Sequence, residues 1–181
     1  MSSISTEYIF IPTTDEQFEF VVSEYSARAL PGCVGCVDCV HVGWDKCPSQ
    51  YHNMYKGREG FPSIAYKVIC SSRKFIQSVS VGHPGSGNDK HIVGTDSSIM
   101  QLLEGNGWLQ AKAWKSTDPD GKQIQFFGVY LICDGGYHHW PCLRSAEKTG
   151  VAGSPVMKWS AKLESVRKDI EGVFGILKKR F

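Results

Sequence analysis

The chain has 181 residues, 41% of them hydrophobic and 21% charged, with a formal net charge of +2. That is enough for one compact domain with a real core and too little for two comfortable ones. No run of about 18 apolar residues exists to cross a membrane, and the near-neutral charge excludes a uniformly basic nucleic-acid surface.

The charge is unevenly placed. From Pro155 onward seven Lys/Arg face three acids, which gives the tail +4 and leaves the remainder at −2. A basic strip on a neutral body suits local phosphate contact rather than bulk capture. The polar N-terminus carries neither a basic nor an apolar signal region, so a secretory route is not expected. Seven cysteines, an odd and crowded set, then read as reduced thiols rather than a disulfide framework.

In chain order, residues 1–30 read as a helical lead-in with a short amphipathic stretch, Glu16 to Ala29, closed by the turn Leu30-Pro31-Gly32. Cys33 to Val42 reads as a strand whose alternate residues face opposite ways. Residues 49–62 read as a hairpin-like loop, and two strands are expected at Ser63–Cys70 and Lys74–Val81. Gly82 to Asn88 is a Pro/Gly loop, and Asp96 is placed to cap a helix running to about Glu104. Residues 105–124 look like an exposed loop or insertion. The apolar run Phe126 to Cys133 suits a strand buried on both faces. A last helix is expected from about Pro155 to Lys179, with an apolar face of Trp159, Leu163, Val166, Ile170, Val173 or Phe174, and Leu177. Strands first, then helix, strand and helix make a mixed α/β domain.

Three acids stand out. Asp38 lies inside an apolar strand, where a carboxylate is costly unless paired or metal-bound. Asp134 ends an apolar strand and is followed by two glycines. Glu171 lies on one helical stripe with Arg167 and Lys178. If the three converge, pairs at about 4 Å repel by on the order of 4 kcal/mol at an effective dielectric of 20. Bound Mg²⁺ or Mn²⁺ relieves that repulsion. Asp89 is a weaker fourth candidate. Cys33-x2-Cys36-x2-Cys39, with His41 and Cys47, invites a zinc or iron–sulfur site, but period-2 geometry turns Cys36 away from Cys33 and Cys39. His138-His139 reads as an exposed pair. Trp108, Trp114, Trp140 and Trp159 read as anchors, Trp114 with a weak prospect of stacking on DNA beside Lys112 and Lys115.

Four blocks then resemble PIF/Harbinger-type DDE transposases, closest to the subgroup described as plant transposon protein. These are Gly32 to His41 with Trp44 and Cys47-Pro48, Gly82 to Asp89, Asp134 to Tyr137, and Ser165 to Phe181. The resemblance implies an RNase H-like mixed sheet flanked by helices and divalent-metal-dependent DNA cleavage and strand transfer. It implies Asp38, Asp134 and Glu171 as catalytic metal ligands, with Asp89 near the metals and either Asp89 or Asp134 as the second acid of the triad. Two Mg²⁺ or Mn²⁺ ions would be held, and Arg167 and Lys178 would be phosphate contacts. Residues 31–181 would be the core, lacking the helix-turn-helix and closing helices of relatives. The Asp134–Glu171 interval of 36 residues fits, whereas Glu164 stands where bacterial relatives carry an aromatic residue. Double-stranded DNA, a Myb-like accessory DNA-binding protein, self-association and a nuclear location follow as expectations, with no membrane. The alternatives are an inactive or domesticated remnant that binds DNA or protein, and a zinc-binding structural protein.

Overall fold

The computed structural model describes residue 12 and residues 14–104, 107, 109–117 and 120–180. Trp108, Phe181 and the start of the expected lead-in lie outside them. In chain order the elements are α1 (Asp15–Ser26), β1 (Cys33–Gly43), a 3₁₀ turn (Ser49–Tyr51), α2 (His52–Tyr55), β2 (Ser63–Cys70), β3 (Ile76–Val79) and β4 (His83–Pro84). Then follow α3 (Asp89–Thr95), α4 (Ser97–Leu103), β5 (Ala113–Thr117), β6 (Gln123–Phe127), β7 (Tyr130–Ile132), β8 (Leu143–Arg144) and α5 (Pro155–Arg180).

The main sheet runs β3-β2-β1-β7-β8, with β4 also paired to β2. β1 is antiparallel to β2 from Cys36↔Cys70 to Gly43↔Ser63. It is parallel to β7 only from Cys33↔Tyr130 to Cys36↔Ile132. Past Cys36, β1 therefore has a strand on one side only. That open edge is where the cavity described below forms.

Helices cover both faces. Tyr25 of α1 and the Val166 carbonyl of α5 meet the Cys36 thiol on one face. On the other, Cys39 lies against the Asp89 backbone of α3, and Lys67, its register partner, reaches Asp96. α5 buries Leu163, Val166, Ile170 and Val173, the periodic face expected of it, each worth roughly 1.5–3 kcal/mol of transfer free energy. Trp159, expected on that face, is 38% exposed. The Asp96 cap is as expected: its carboxylate accepts from the amides of Ser98 and Ile99 at 3.0 and 3.2 Å.

The differences have local causes. Residues 49–62 hold a helical turn and α2 before the loop that Lys56↔Pro62 closes. The expected strand from Lys74 starts only at Ile76, because Lys74 takes φ 67° in the preceding turn. Asn88 accepts from the Lys90 amide and opens α3, which the Pro/Gly loop concealed. Much of the 105–124 loop is a hairpin, β5–β6. The Phe126–Cys133 run is two strands, since Gly128 turns at φ +80° and leaves Phe126 and Phe127 40% and 69% exposed. A register shift between Cys33 and Gly35 breaks the expected alternation, and Cys33 joins Cys36 and Cys70 around Tyr25.

Candidate active site

A cavity of about 420 Å³ opens at the unpaired edge of β1. Asp38, Asp89 and Asp134 border it, with Arg167 and Lys178 from α5. Strand alternation sends Asp38 toward α5 and His41 toward α3, yet both reach this cavity because it lies at the open edge, where the two faces meet.

Asp38 is held from three directions. Its Oδ1 accepts from the Tyr137 hydroxyl and from the Cys39 amide, each at 2.9 Å. Its Oδ2 stands 3.7 Å from the Arg167 guanidinium. Burial still pushes the Asp38 carboxyl above the ordinary carboxylate range, and the charge of Asp134 adds to the push. Asp134 follows β7 by two residues and turns the chain, its Oδ2 accepting from the Gly136 amide at 3.1 Å. Tyr137 is thus a tie from the Asp134 turn back to Asp38.

Asp89 begins α3, and its Oδ1 lies 3.0 Å from His41 Nε2, whose ring meets Ser63 Oγ on the other side at 3.3 Å. Glu171 does not border the cavity. It pairs with Arg167 at 3.0 Å and is half exposed. Glu164, the residue in place of an aromatic, grips the same guanidinium at 3.1 Å. Burial works to lower the Arg167 pKa, but Glu164, Glu171 and Asp38 together hold it above its usual value.

A hard divalent ion suits the donors in kind, since the carboxylates of Asp38 and Asp134 face one space. Among the described residues no three of His, Cys, Asp and Glu stand close enough to hold one ion. Mg²⁺ commonly needs only one or two carboxylates, completing its octahedron with water and substrate phosphate. Asp38 and Asp134 fit that pattern; a cage of all four acids does not stand assembled. The thiols offer less. The Cys36 thiol meets Tyr25, the Cys33 thiol the Gly35 carbonyl, Cys39 α3, and the Cys47 thiol the Pro48 carbonyl. All seven cysteines are free, and burial pushes the Cys39 thiol up to about 12, so it is no nucleophile at neutral pH.

Sequence reasoning gave no role to Tyr137, Arg58, Glu59 or Lys90, which also border the cavity. Tyr137 at least stood inside a quoted block. His138 is not the exposed residue expected: it is half-buried, stacked on Trp140 at 4.3 Å. Trp114 stacks on Phe126 at 4.5 Å and donates to the Gly128 carbonyl, in a separate cleft that excludes the acids.

The family model described as plant transposon protein matches residues 6–181, nearly the whole chain. The chain belongs to the plant transposon protein family. The resemblance to Harbinger-type transposases read from the four blocks is thereby upheld. Proteins named "Putative nuclease HARBI1" from Rattus norvegicus, Homo sapiens and Bos taurus are each 28% identical over 109 residues. That stretch covers 58% of this chain and 31% of each relative, so the match spans about a third of their length. No solved structure matches. The mixed, helix-flanked sheet agrees with the α/β reading.

Proposed function

We propose that this chain is the core of a transposase-derived, divalent-metal-dependent nuclease that cuts DNA and transfers the freed strand. The observation that carries the reading is the single cavity bordered by Asp38, Asp89 and Asp134, with Arg167 and Lys178 beside them. The sheet supports an RNase H-like reading: an antiparallel half meets a parallel half at β1, and the acids stand at that junction's open edge. The likeness to proteins named as nucleases supports the reaction class.

Asp38 and Asp134 would hold the ion through carboxylate oxygens, with Asp89 and Glu171 brought in on DNA binding. When bound, such an ion polarises the phosphoryl group and makes water a usable nucleophile at neutral pH. The chain's own residues do the positioning. Tyr137 and the Cys39 amide fix Asp38, and His41 fixes Asp89. Arg167 sits between Asp38 and Glu171, where its charge can meet a phosphate oxygen as Lys178 does. DNA would be the partner, joined by a Myb-like accessory protein in the nucleus.

One observation favours the rival reading, a non-catalytic remnant that binds DNA or protein. Glu171 already spends its charge on Arg167 outside the cavity. The deciding experiment is Mg²⁺- or Mn²⁺-dependent nicking of a labelled duplex by the parent, Asp38→Ala and Glu171→Ala. Nicking lost in both variants is expected. A folded parent that binds the ion and does not nick would replace the nuclease with the remnant.

A further inference from the structure

The acid cavity does not end at the acids. A second cavity of about 260 Å³ adjoins it, lined by Gly85, Ser86 and Gly87. His41, Arg58, Glu59, Asn88 and Asp89 border both, so the two form one groove. It runs from Arg167, Phe174 and Lys178 on α5, past the three aspartates, to the loops at 56–62 and 84–88.

Those loops are locked together. The backbone of Gly57 packs so closely on Gly85 that a Cβ at 57 would stand 2.0 Å from the Gly85 carbonyl oxygen. A Cβ on Gly85 would meet Ser63 Oγ at 2.1 Å. Neither glycine can be replaced without parting the loops. The Gly85 amide donates to the Ser63 carbonyl at 2.8 Å, and the Ser86 hydroxyl to the Met54 carbonyl. The interlock fixes where Arg58 leaves the backbone, at the far end of the groove from α5.

The groove's charges are also apportioned. Arg58 lies toward the loop end, Lys90 on α3 beside the aspartates, and Arg167 and Lys178 on the α5 side. A single phosphate would need only one of these ends. A chain of phosphates would use both.

We infer that the groove is a nucleic-acid track, in which the strand passing the aspartates leaves over the two interlocked loops. Arg58 then contacts a phosphate flanking the reacting one on the loop side, and Lys90 a second phosphate beside the aspartates. Glu59, beside Arg58 at the loop end, opposes the Arg58 contact and limits its strength. The inference rests on the nuclease reading, and it adds the path of the strand and the residues that hold it.

The test is fluorescence anisotropy of a short labelled duplex with the full chain, in Ca²⁺, over roughly 0.05–0.2 M salt. Each phosphate contact contributes about 0.9 to the slope of log K against log salt. Arg58→Gln and Lys90→Gln should each lower the parent's slope by about 0.9, and the double variant by about 1.8. Glu59→Gln should tighten binding. Arg73→Gln removes an exposed cation that pairs with Glu24 away from the groove, and should leave the slope unchanged. Arg58 and Lys90 are exposed, so these variants should keep the parent's circular dichroism. If the parent binds and nicks duplex while Arg58→Gln and Lys90→Gln keep its slope, the track is wrong and the nuclease stands. If the parent neither binds nor nicks, both fall together.

Discussion

Lys67 and Asp38 lie one residue apart in register on paired strands, and they put charge inside the same sheet in opposite ways. Lys67 is wholly buried, with Asp96 at 3.0 Å and Ser78 Oγ at 2.7 Å. Burial lowers its pKa and Asp96 opposes that fall. Its charge is closed off by the fold. Asp38, on the other face, has neighbours at hydrogen-bond distance but its nearest cation only at 3.7 Å, and it opens on a cavity shared with two other aspartates. Its carboxyl is left above the ordinary range. A charge the fold satisfies is architecture; a charge the fold buries and leaves short of a partner is ready for one from outside.

The strongest way to break that contrast is to remove each charge in turn. Asp38→Asn keeps the shape and the acceptor for Tyr137. It should reduce metal-dependent nicking to background in the gel assay while the protein stays at least as stable as the parent. Loss of both nicking and fold would make Asp38 architectural too.

Lys67→Met should do the reverse. Breaking a buried pair by removing one partner costs about 3–5 kcal/mol. The low end is expected here, because Asp96 keeps two amide donors as the cap of α4. Urea unfolding would measure the loss, and adding Asp96→Asn should recover more than half of it. No recovery would show that the Lys67–Ser78 contact, not the ion pair, carries the stability.

This contrast was only half legible in the sequence. Asp38 drew notice because an acid interrupts an apolar run, and Asp96 because it precedes a helical period. Lys67 drew none: its partner is 29 residues away, a distance no spacing rule reaches. Local rules served α5 and β2 well, since periodicity and flanking turns decide them. They failed at Phe126 to Cys133, where one φ at Gly128 turns an apolar run into two strands. They also failed at Arg58, whose place in the groove depends on two glycines in separate loops touching. The family resemblance pointed to the acids. It did not tell that Glu171 would face Arg167 rather than the cavity.

A smaller effect is expected at Tyr137, which ties the Asp134 turn to Asp38. Removal of an orienting partner commonly costs 10–100-fold in metal affinity or activity, and roughly that loss is expected of Tyr137→Phe. Mn²⁺ titration followed by electron paramagnetic resonance separates positioning from stability. Weakened Mn²⁺ binding with the unfolding midpoint little changed would show that the hydroxyl serves Asp38. An unchanged affinity with a lowered midpoint would place Tyr137 with Lys67 among the architectural groups.

The smallest effect is the most direct measure of how open Asp38 is. Its folded carboxyl titrates above the ordinary value of about 3.9, so between the two values the folded protein holds a proton that the unfolded chain has lost. Stability from this group therefore falls as pH rises through that window, and above it the buried carboxylate is a fixed cost. Asp38→Asn carries no such cost. The stability of the variant minus that of the parent, from urea curves at stepped pH, should rise through that window and level off by neutrality. A difference that falls instead would mean that Arg167 and Tyr137 more than satisfy the carboxylate. Asp38 would then be as closed as Lys67, with no call on a cation from outside.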